Sequence, residues 1–254
     1  MNRLLVRCLI SATLTLSSIG FSAQNLSTQN LTQKIVGTAV EINKDKEFFY
    51  SEEDSIEIKD GHIQKIDSLY KNKDAKLIAE MHSDFTKKPY LPEINYLDHR
   101  RDVQYKMIYL EKENKVSVTQ NFEDPKVTKS KKLDYVEDMT NSMGLINYIR
   151  ENFSEVKKES KSFRYVVPAL MDDFGMVLEF RENAESSDTN VQFAFRIKSF
   201  FIRNLSGIKE SILFFDEKGT FIKGFNGVSN ILSDANKPVD VQLTYTAPTE
   251  TKTK

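Results

Sequence analysis

Val191-Gln192-Phe193-Ala194-Phe195-Arg196-Ile197-Lys198-Ser199-Phe200-Phe201 decides the fold class. Val191, Phe193, Phe195 and Ile197 alternate with Gln192, Ala194, Arg196 and Lys198, and Phe201 continues the apolar face past Ser199. Successive side chains of a strand point to opposite faces, so a period of two over this length reads as one long half-buried strand. A face of aromatic rings is not left in water, so the sheet that contains it has to curl around something.

Working outward, Val239, Val241, Leu243 and Tyr245 alternate in the same way with Asp240, Gln242, Thr244 and Thr246. Segments 212–215 and 220–225 flank Asp216-Glu217-Lys218-Gly219, and segments 48–58 and 63–70 flank Lys59-Asp60-Gly61-His62. Each of these glycines sits where a hairpin turn needs a positive φ. Segments 77–82, 103–110, 116–122 and 162–167 complete the expected strands. One stretch keeps helical time: Met139, Met143, Ile146, Ile149, Phe153 and Val156 recur at steps of three and four and share one helix face, with Asp138 or Thr140 placed to cap its start. The pattern predicts a mainly β (α+β) chain, a curved antiparallel sheet or incomplete β-barrel packed around one principal helix.

The N-terminus reads as an export signal. Arg3 and Arg7 precede an uncharged stretch at 8–21, followed by small residues, the three-part pattern of a cleavable signal peptide with cleavage near Ser22/Ala23. Gly20 and Ser22 favour cleavage after Ser22. Cys8 precedes the apolar core and so is misplaced for a lipid anchor; its loss leaves no thiol for a disulfide, a thiolate nucleophile or a zinc site. The expected organisation is a signal peptide at 1–22, a flexible leader at 23–33, a single β-rich domain at 34–246 and a disordered tail at 247–254. The full chain has 36 basic and 37 acidic residues; without Arg3 and Arg7 the balance is 34 to 37. That charge offers no basic field for nucleic acid or anionic lipid, and no second apolar run reaches transmembrane length. A soluble periplasmic or secreted protein is expected.

Several segments together resemble a family of uncharacterised exported proteobacterial proteins. They are Tyr50-Ser51-Glu52, Tyr70 with Leu77-Ile78-Ala79, Leu91-Pro92-Glu93-Ile94-Asn95-Tyr96, and Asp98-His99-Arg100-Arg101-Asp102. Gly144-Leu145-Ile146-Asn147-Tyr148-Ile149-Arg150-Glu151-Asn152-Phe153 resembles that family's helix, and Phe225-Asn226-Gly227-Val228-Ser229-Asn230-Ile231 its C-terminal signature. The resemblance implies an envelope location and a β-rich architecture. More distantly, a curved sheet around a helix in an exported protein resembles the periplasmic lipoprotein carriers, an analogy of fold that does not fix function.

The chemistry is sparse. His62, His82 and His99 have no partner at metal-binding spacing, so neither a metal nor a cofactor is expected. Gly227-Val228-Ser229-Asn230 lacks the closing glycine of a nucleophile elbow, and no phosphate-cradling loop occurs. The residues 225–231 read instead as a tight loop. A hydrolase would draw on Asp98, His99 and Asp102, but adjacent residues of a strand face opposite ways, and Asp98, Arg100 and Asp102 read more simply as an ion-pair ladder. The aromatic supply, 17 Phe and 10 Tyr with no Trp, supports a second chemistry. Met143, Phe193, Phe195, Phe201, Phe214 and Phe225 are the candidate lining of an apolar pocket, since mostly apolar walls with few polar anchors suit a greasy ligand. The leading expectation is a non-catalytic envelope protein that binds an apolar small molecule, a lipid or a protein partner; the others are the hydrolase and a purely structural interaction module.

Overall fold

Two turns show how the strands find their register. Asp60 (φ +52°) and Gly61 (φ +82°) both adopt the left-handed conformation, the pair of positive φ values whose twist matches a tight hairpin. Gly219 (φ +72°) closes the second turn, where the Asp216 carboxylate accepts from the backbone N–H of Thr220 at 2.6 Å and of Phe221 at 3.0 Å. The computed structural model describes residues 30–122, 127–182, 190–199 and 210–252. The signal segment with Cys8, Ser22 and Ala23, and also Phe201, lie outside the described residues.

The strands are β1 (Asn30–Glu41), β2 (Phe48–Lys59), β3 (His62–Lys71), β4 (Leu77–Asp84), β5 (Glu93–Asp98), β6 (Val103–Leu110), β7 (Lys115–Asn121), β8 (Thr128–Asp134) and β9 (Met139–Thr140). Helices α1 (Ser142–Glu151) and α2 (Phe153–Val156) follow. Then come β10 (Lys161–Val167), β11 (Asp172–Arg181), β12 (Val191–Ile197), β13 (Ser211–Phe215), β14 (Ile222–Val228), β15 (Asp240–Tyr245) and β16 (Thr249–Lys252). All join one sheet in the order β8 to β1, then β15 down to β9, with β16 added on β1. Neighbours are antiparallel except β9 and β10. Two meanders therefore share β1 and β15 as their join and leave β8 and β9 as free edges. The edges come near each other where Lys131 of β8 meets Asp172 of β11 at 2.9 Å. The result is the expected incomplete barrel. Lys129, Lys131 and Lys132 are exposed along β8, charges that discourage another chain from pairing with an open edge.

The inner face carries two apolar clusters. The first gathers residues of β1–β8 and the C-terminal strands, including Ile35, Tyr50, Tyr70, Met107, Val118, Ile231 and Leu243. The second lies under β10–β14 and contains Phe163, Leu178, Phe193, Phe195, Leu213 and Phe215. α1 fits between them: Met143 packs in the first, Leu145 and Ile149 in the second, and Ile146 against both. Asn141 caps α1, its Oδ1 accepting from Gly144 N–H at 2.9 Å while its Nδ2 donates to the Pro92 carbonyl at 2.9 Å. Among the described residues no helix is long and apolar enough to cross a membrane.

Several expectations are corrected. The helical stripe is shorter than its periodicity implied: Met139 lies in β9, and the cap is Asn141 rather than Asp138 or Thr140. Residues 30–33 are not part of a loose leader but open β1, and Thr249–Lys252, expected in a disordered tail, form β16 against Leu31–Lys34. Thr- and Asn-rich segments pair as readily as apolar ones when a neighbouring strand supplies the hydrogen bonds. Gly227 lies inside β14 rather than in a tight loop. A Cβ there would stand 2.4 Å from Ser211 Oγ, so close packing with β13 is what uses this glycine.

Candidate functional site

β2 places Tyr50, Glu52, Asp54, Ile56 and Ile58 on the inner face, alternating with partly or fully exposed residues. Two carboxyls therefore enter the barrel on the same face as the core. Glu52 is 3% exposed and Asp54 9%. Glu53, between them, faces outward and meets Lys71 at 2.6 Å. Strand pairing assembles the surroundings. One row runs Tyr245, Gly37, Glu52, Tyr70, Ala79, Asp98, and the next runs Ile35, Asp54, Ser68, Met81, Tyr96, Tyr105. Tyr50 adds a third phenol: its ring meets Tyr70 edge-on with centroids 5.6 Å apart, and its hydroxyl accepts from Ser229 Oγ at 3.4 Å.

Among the described residues no basic side chain pairs with either carboxyl. Burial drives the Glu52 carboxyl well above the ordinary carboxylate range, and the neighbouring Asp54 charge pushes it further; the hydroxyls of Tyr245 and Tyr70 favour its ionised form. Burial also raises Asp54, to about 6, while Ser68 and Glu52 hold it down. Two carboxyls in contact away from water do not both ionise readily. Glu52 keeps the proton and Asp54 is the group that titrates. Burial likewise raises the phenols of Tyr50, Tyr70 and Tyr245, with Glu52 and Asp54 adding to the effect, and that of Tyr96, where Asp98 adds to it.

The cluster is not saturated. Asp54 Oδ1, Ser68 Oγ and Tyr70 OH are buried without a partner in hydrogen-bond geometry, although Ser68 and Tyr70 lie beside the two acids. Tyr245 is the member that remains partly exposed, and its ring packs against both apolar clusters, as do Ile146 and Phe225. Partly exposed apolar surface thus lies where the two halves of the interior meet, next to the acids.

The residues singled out from the sequence are distributed differently. Phe193 and Phe195 are enclosed in the second cluster: Phe193 has the rings of Phe153, Phe180 and Phe215 about it, with centroids 5.8, 5.9 and 5.9 Å away. Phe225 shares an inner row with Phe193 through Leu213. Met143 belongs to the other cluster, so the structure does not bring it together with Phe193 and Phe195. Phe214 alternates with the buried Leu213 and Phe215 and faces away from the interior.

Asp98 ends β5, and residues 99–102 form a turn rather than a continuing strand, with Asp102 at φ +50°. A single ladder face is therefore not formed. Asp98, 2% exposed, accepts from Arg100 Nη2 at 2.8 Å and Nε at 3.1 Å, and Arg101 Nη1 lies 3.6 Å away. The two arginines also donate to the Leu232 carbonyl, and Arg101 to that of Ser233, which fastens the β14–β15 loop. His99 faces Glu80 at 3.8 Å instead of Asp98. His62 and His82 each meet one carboxylate, Glu151 and Asp67, and no group of three metal-ligating side chains occurs among the described residues.

No family model and no curated protein matches the chain. Among solved structures it is similar to a β-barrel-like protein of the domain of unknown function DUF1849 from Brucella abortus, at 5% identity and a TM-score of 0.44 over 88% of this chain and 99% of that one. It is also similar to a LolA superfamily protein from Nitrosomonas europaea, at 8% identity and a TM-score of 0.25 over 87% and 86% of the two chains.

Proposed function

We propose that this chain is an exported, non-catalytic binding protein of the cell envelope that holds an amphiphile inside its incomplete barrel. The apolar part lies along Ile146, Phe225 and Tyr245, and the polar head reaches Glu52, Asp54, Ser68 and Tyr70. The observation that carries this reading is the set of open atoms on two adjacent strands, Asp54 Oδ1, Ser68 Oγ and Tyr70 OH. Buried polar groups are nearly always hydrogen-bonded, and each one left open costs about 1–3 kcal/mol. Three at one place, beside partly exposed apolar side chains, are the converging polar groups and greasy walls of a ligand site. The export half of the proposal rests on Arg3, Arg7, the uncharged stretch at 8–21 and the small residues at Ser22 and Ala23.

Native mass spectrometry of protein purified from the envelope fraction tests both halves. The expected product begins at Ala23 or Gln24, carries no lipid on the chain, and releases a noncovalent amphiphile on denaturation. A chain retaining Met1, or one that takes up neither a native ligand nor an apolar fluorescent probe, would remove the proposal.

A further inference from the structure

We infer that the head group taken up by Glu52, Asp54, Ser68 and Tyr70 is a primary ammonium, so that the ligand is a long-chain amine. This deepens the binding reading above and rests on it. The acids alone would not carry the inference; the independent observation is that Ser68, 0% exposed, and Tyr70, 1% exposed, turn unpartnered hydroxyls into the same inner face. Ser68 is the cross-strand partner of Asp54, and Tyr70 that of Glu52.

The open atoms number three, and all can accept a hydrogen bond. An ammonium has three N–H donors and no acceptor, so it can give one donor to each of one carboxylate oxygen and two hydroxyl oxygens. A carboxylate or phosphate head would instead meet Asp54 with like charge in a place where water cannot screen it. Charge points the same way. The groups around the pair are the phenols of Tyr50, Tyr70 and Tyr245, with Tyr96 further along the Asp54 row. Arg100 and Arg101, which act on Tyr96, are engaged by Asp98 and the loop carbonyls. A bound cation supplies the missing counter-charge, and phenol rings around it present their negative faces. An alkyl chain on the ammonium then continues past Tyr245 toward Phe225 and Ile146.

Binding has a proton balance. Below its apparent midpoint Asp54 is protonated, so taking up an ammonium ion expels that proton to solvent; the ammonium keeps all of its own. Isothermal titration in two buffers of different ionisation heat reads the release directly.

The exported chain is titrated with decylamine, decanol and decanoate at pH 7, each by displacement of a neutral apolar fluorophore, and with decylamine again at pH 5.5 with proton counting. Decylamine is expected to bind at least tenfold more tightly than the other two, and at pH 5.5 to release up to one proton. Asp54→Asn is close to isosteric, and Ser68→Ala removes a single hydroxyl and leaves little void, so both should fold, which a thermal melt verifies. Each should weaken decylamine at least tenfold and decanol by clearly less, so that the preference for the amine over the alcohol narrows. Equal affinities for the three heads, a preference for decanoate, or an amine preference that survives both substitutions in folded protein overturns the ammonium assignment and leaves the binding reading standing. Failure of the fluorophore and all three chains to bind overturns the binding reading itself.

Discussion

Gly37 and Tyr245 face each other across β1 and β15, and the Tyr245 ring fills the space that a Cβ on Gly37 would need, with Cε1 2.8 Å and Cδ1 2.9 Å from it. Glycine inside a strand is unfavourable for backbone entropy, so its use here marks the close approach of a ring. The ring lies over the strand that pairs with Glu52 and brings the Tyr245 hydroxyl to that carboxyl. Gly37→Ala should push the ring aside and cost about 1–3 kcal/mol, the usual range for overpacking. In a Tyr245→Ala background the same change should cost less, because the ring is gone and only the flexible Leu243 Cδ1, 2.9 Å away, has to give. Denaturant melts of the four proteins form the cycle, and additive costs would show that the two residues are not coupled.

The acid pair sets a pH dependence of stability with a definite sign. Asp54 titrates at about 6 in the folded protein, above the ordinary 3.8, because burial opposes its charge. Between those values the folded chain binds more protons than the unfolded one, so the contribution is complete below the lower value and is lost as pH rises through the higher. Unfolding free energy should therefore fall by about 1–2 kcal/mol from pH 5 to pH 7.5 through Asp54 alone. Glu52, raised further, adds to the fall at higher pH. The groups held below their ordinary range, Asp84, Glu159 and Asp172, act in the opposite sense but under more acid conditions. Urea melts of the wild type and Asp54→Asn across this window read the effect of the acid pair, since titrating groups other than Glu52, which responds to the Asp54 charge, cancel in the difference. Parallel profiles for the two proteins would contradict the assignment.

The strands with clean alternation were legible in the sequence, and so were the two turns, because period and glycine position are local. β1, β5, β8, β9, β11 and β16 were not, since their burial depends on which neighbours the sheet supplies. Glu52 and Asp54 lie within the expected strand 48–58 but were not singled out, because nothing about the acids themselves marks their face as the buried one. The signal that could have placed the two acids inside was the phase of β2: Ile58, Ile56 and Tyr50 share one parity with Asp54 and Glu52. Counting back from the isoleucines puts both carboxyls on the buried face. The arginines after Asp98 were visible as charge, but the β14–β15 loop they fasten is more than 130 residues away in the chain, beyond any local pattern.

Asp98 holds that fastening together. It is almost fully buried, and both oxygens are taken by Arg100, with Arg101 nearby. Removing one partner of a buried ion pair typically costs about 3–5 kcal/mol, because the remaining charge is stranded. Asp98→Asn should lower the melting temperature strongly and speed proteolysis between residues 232 and 238. Asp102→Asn should be close to neutral, since asparagine tolerates the left-handed φ that Asp102 adopts. Equal melting temperatures for Asp98→Asn and the wild type would show that the cluster is incidental.

Phe193 and Phe153 separate core from rim in the second cluster. The helical stripe alone makes Phe153 the residue whose loss should be severe and allows one of Phe193 and Phe195 to be a tolerant pocket wall. The structure reverses the order. Phe193 has no exposed surface and touches three rings, whereas Phe153 is only partly buried and leans on Gly219 and the Lys157 ammonium. Truncation of a closed-in phenylalanine leaves a void that neighbours fill only partly, and costs about 3–5 kcal/mol. Phe193→Ala should fall in that range and Phe153→Ala below it. Phe214→Ala, on the outer face, should change stability least. Chemical denaturation of the three variants at constant m-value ranks them. Probe uptake supplies a second reading: with the ligand held between Phe225, Ile146 and Tyr245, Phe193→Ala should leave the affinity of an apolar probe within about threefold of wild type, since a loss of 0.7 kcal/mol or less is expected of a residue outside the site. A Phe193→Ala protein that is as stable as wild type but loses probe binding would move the ligand into the second cluster, where the periodicity of β12 first pointed.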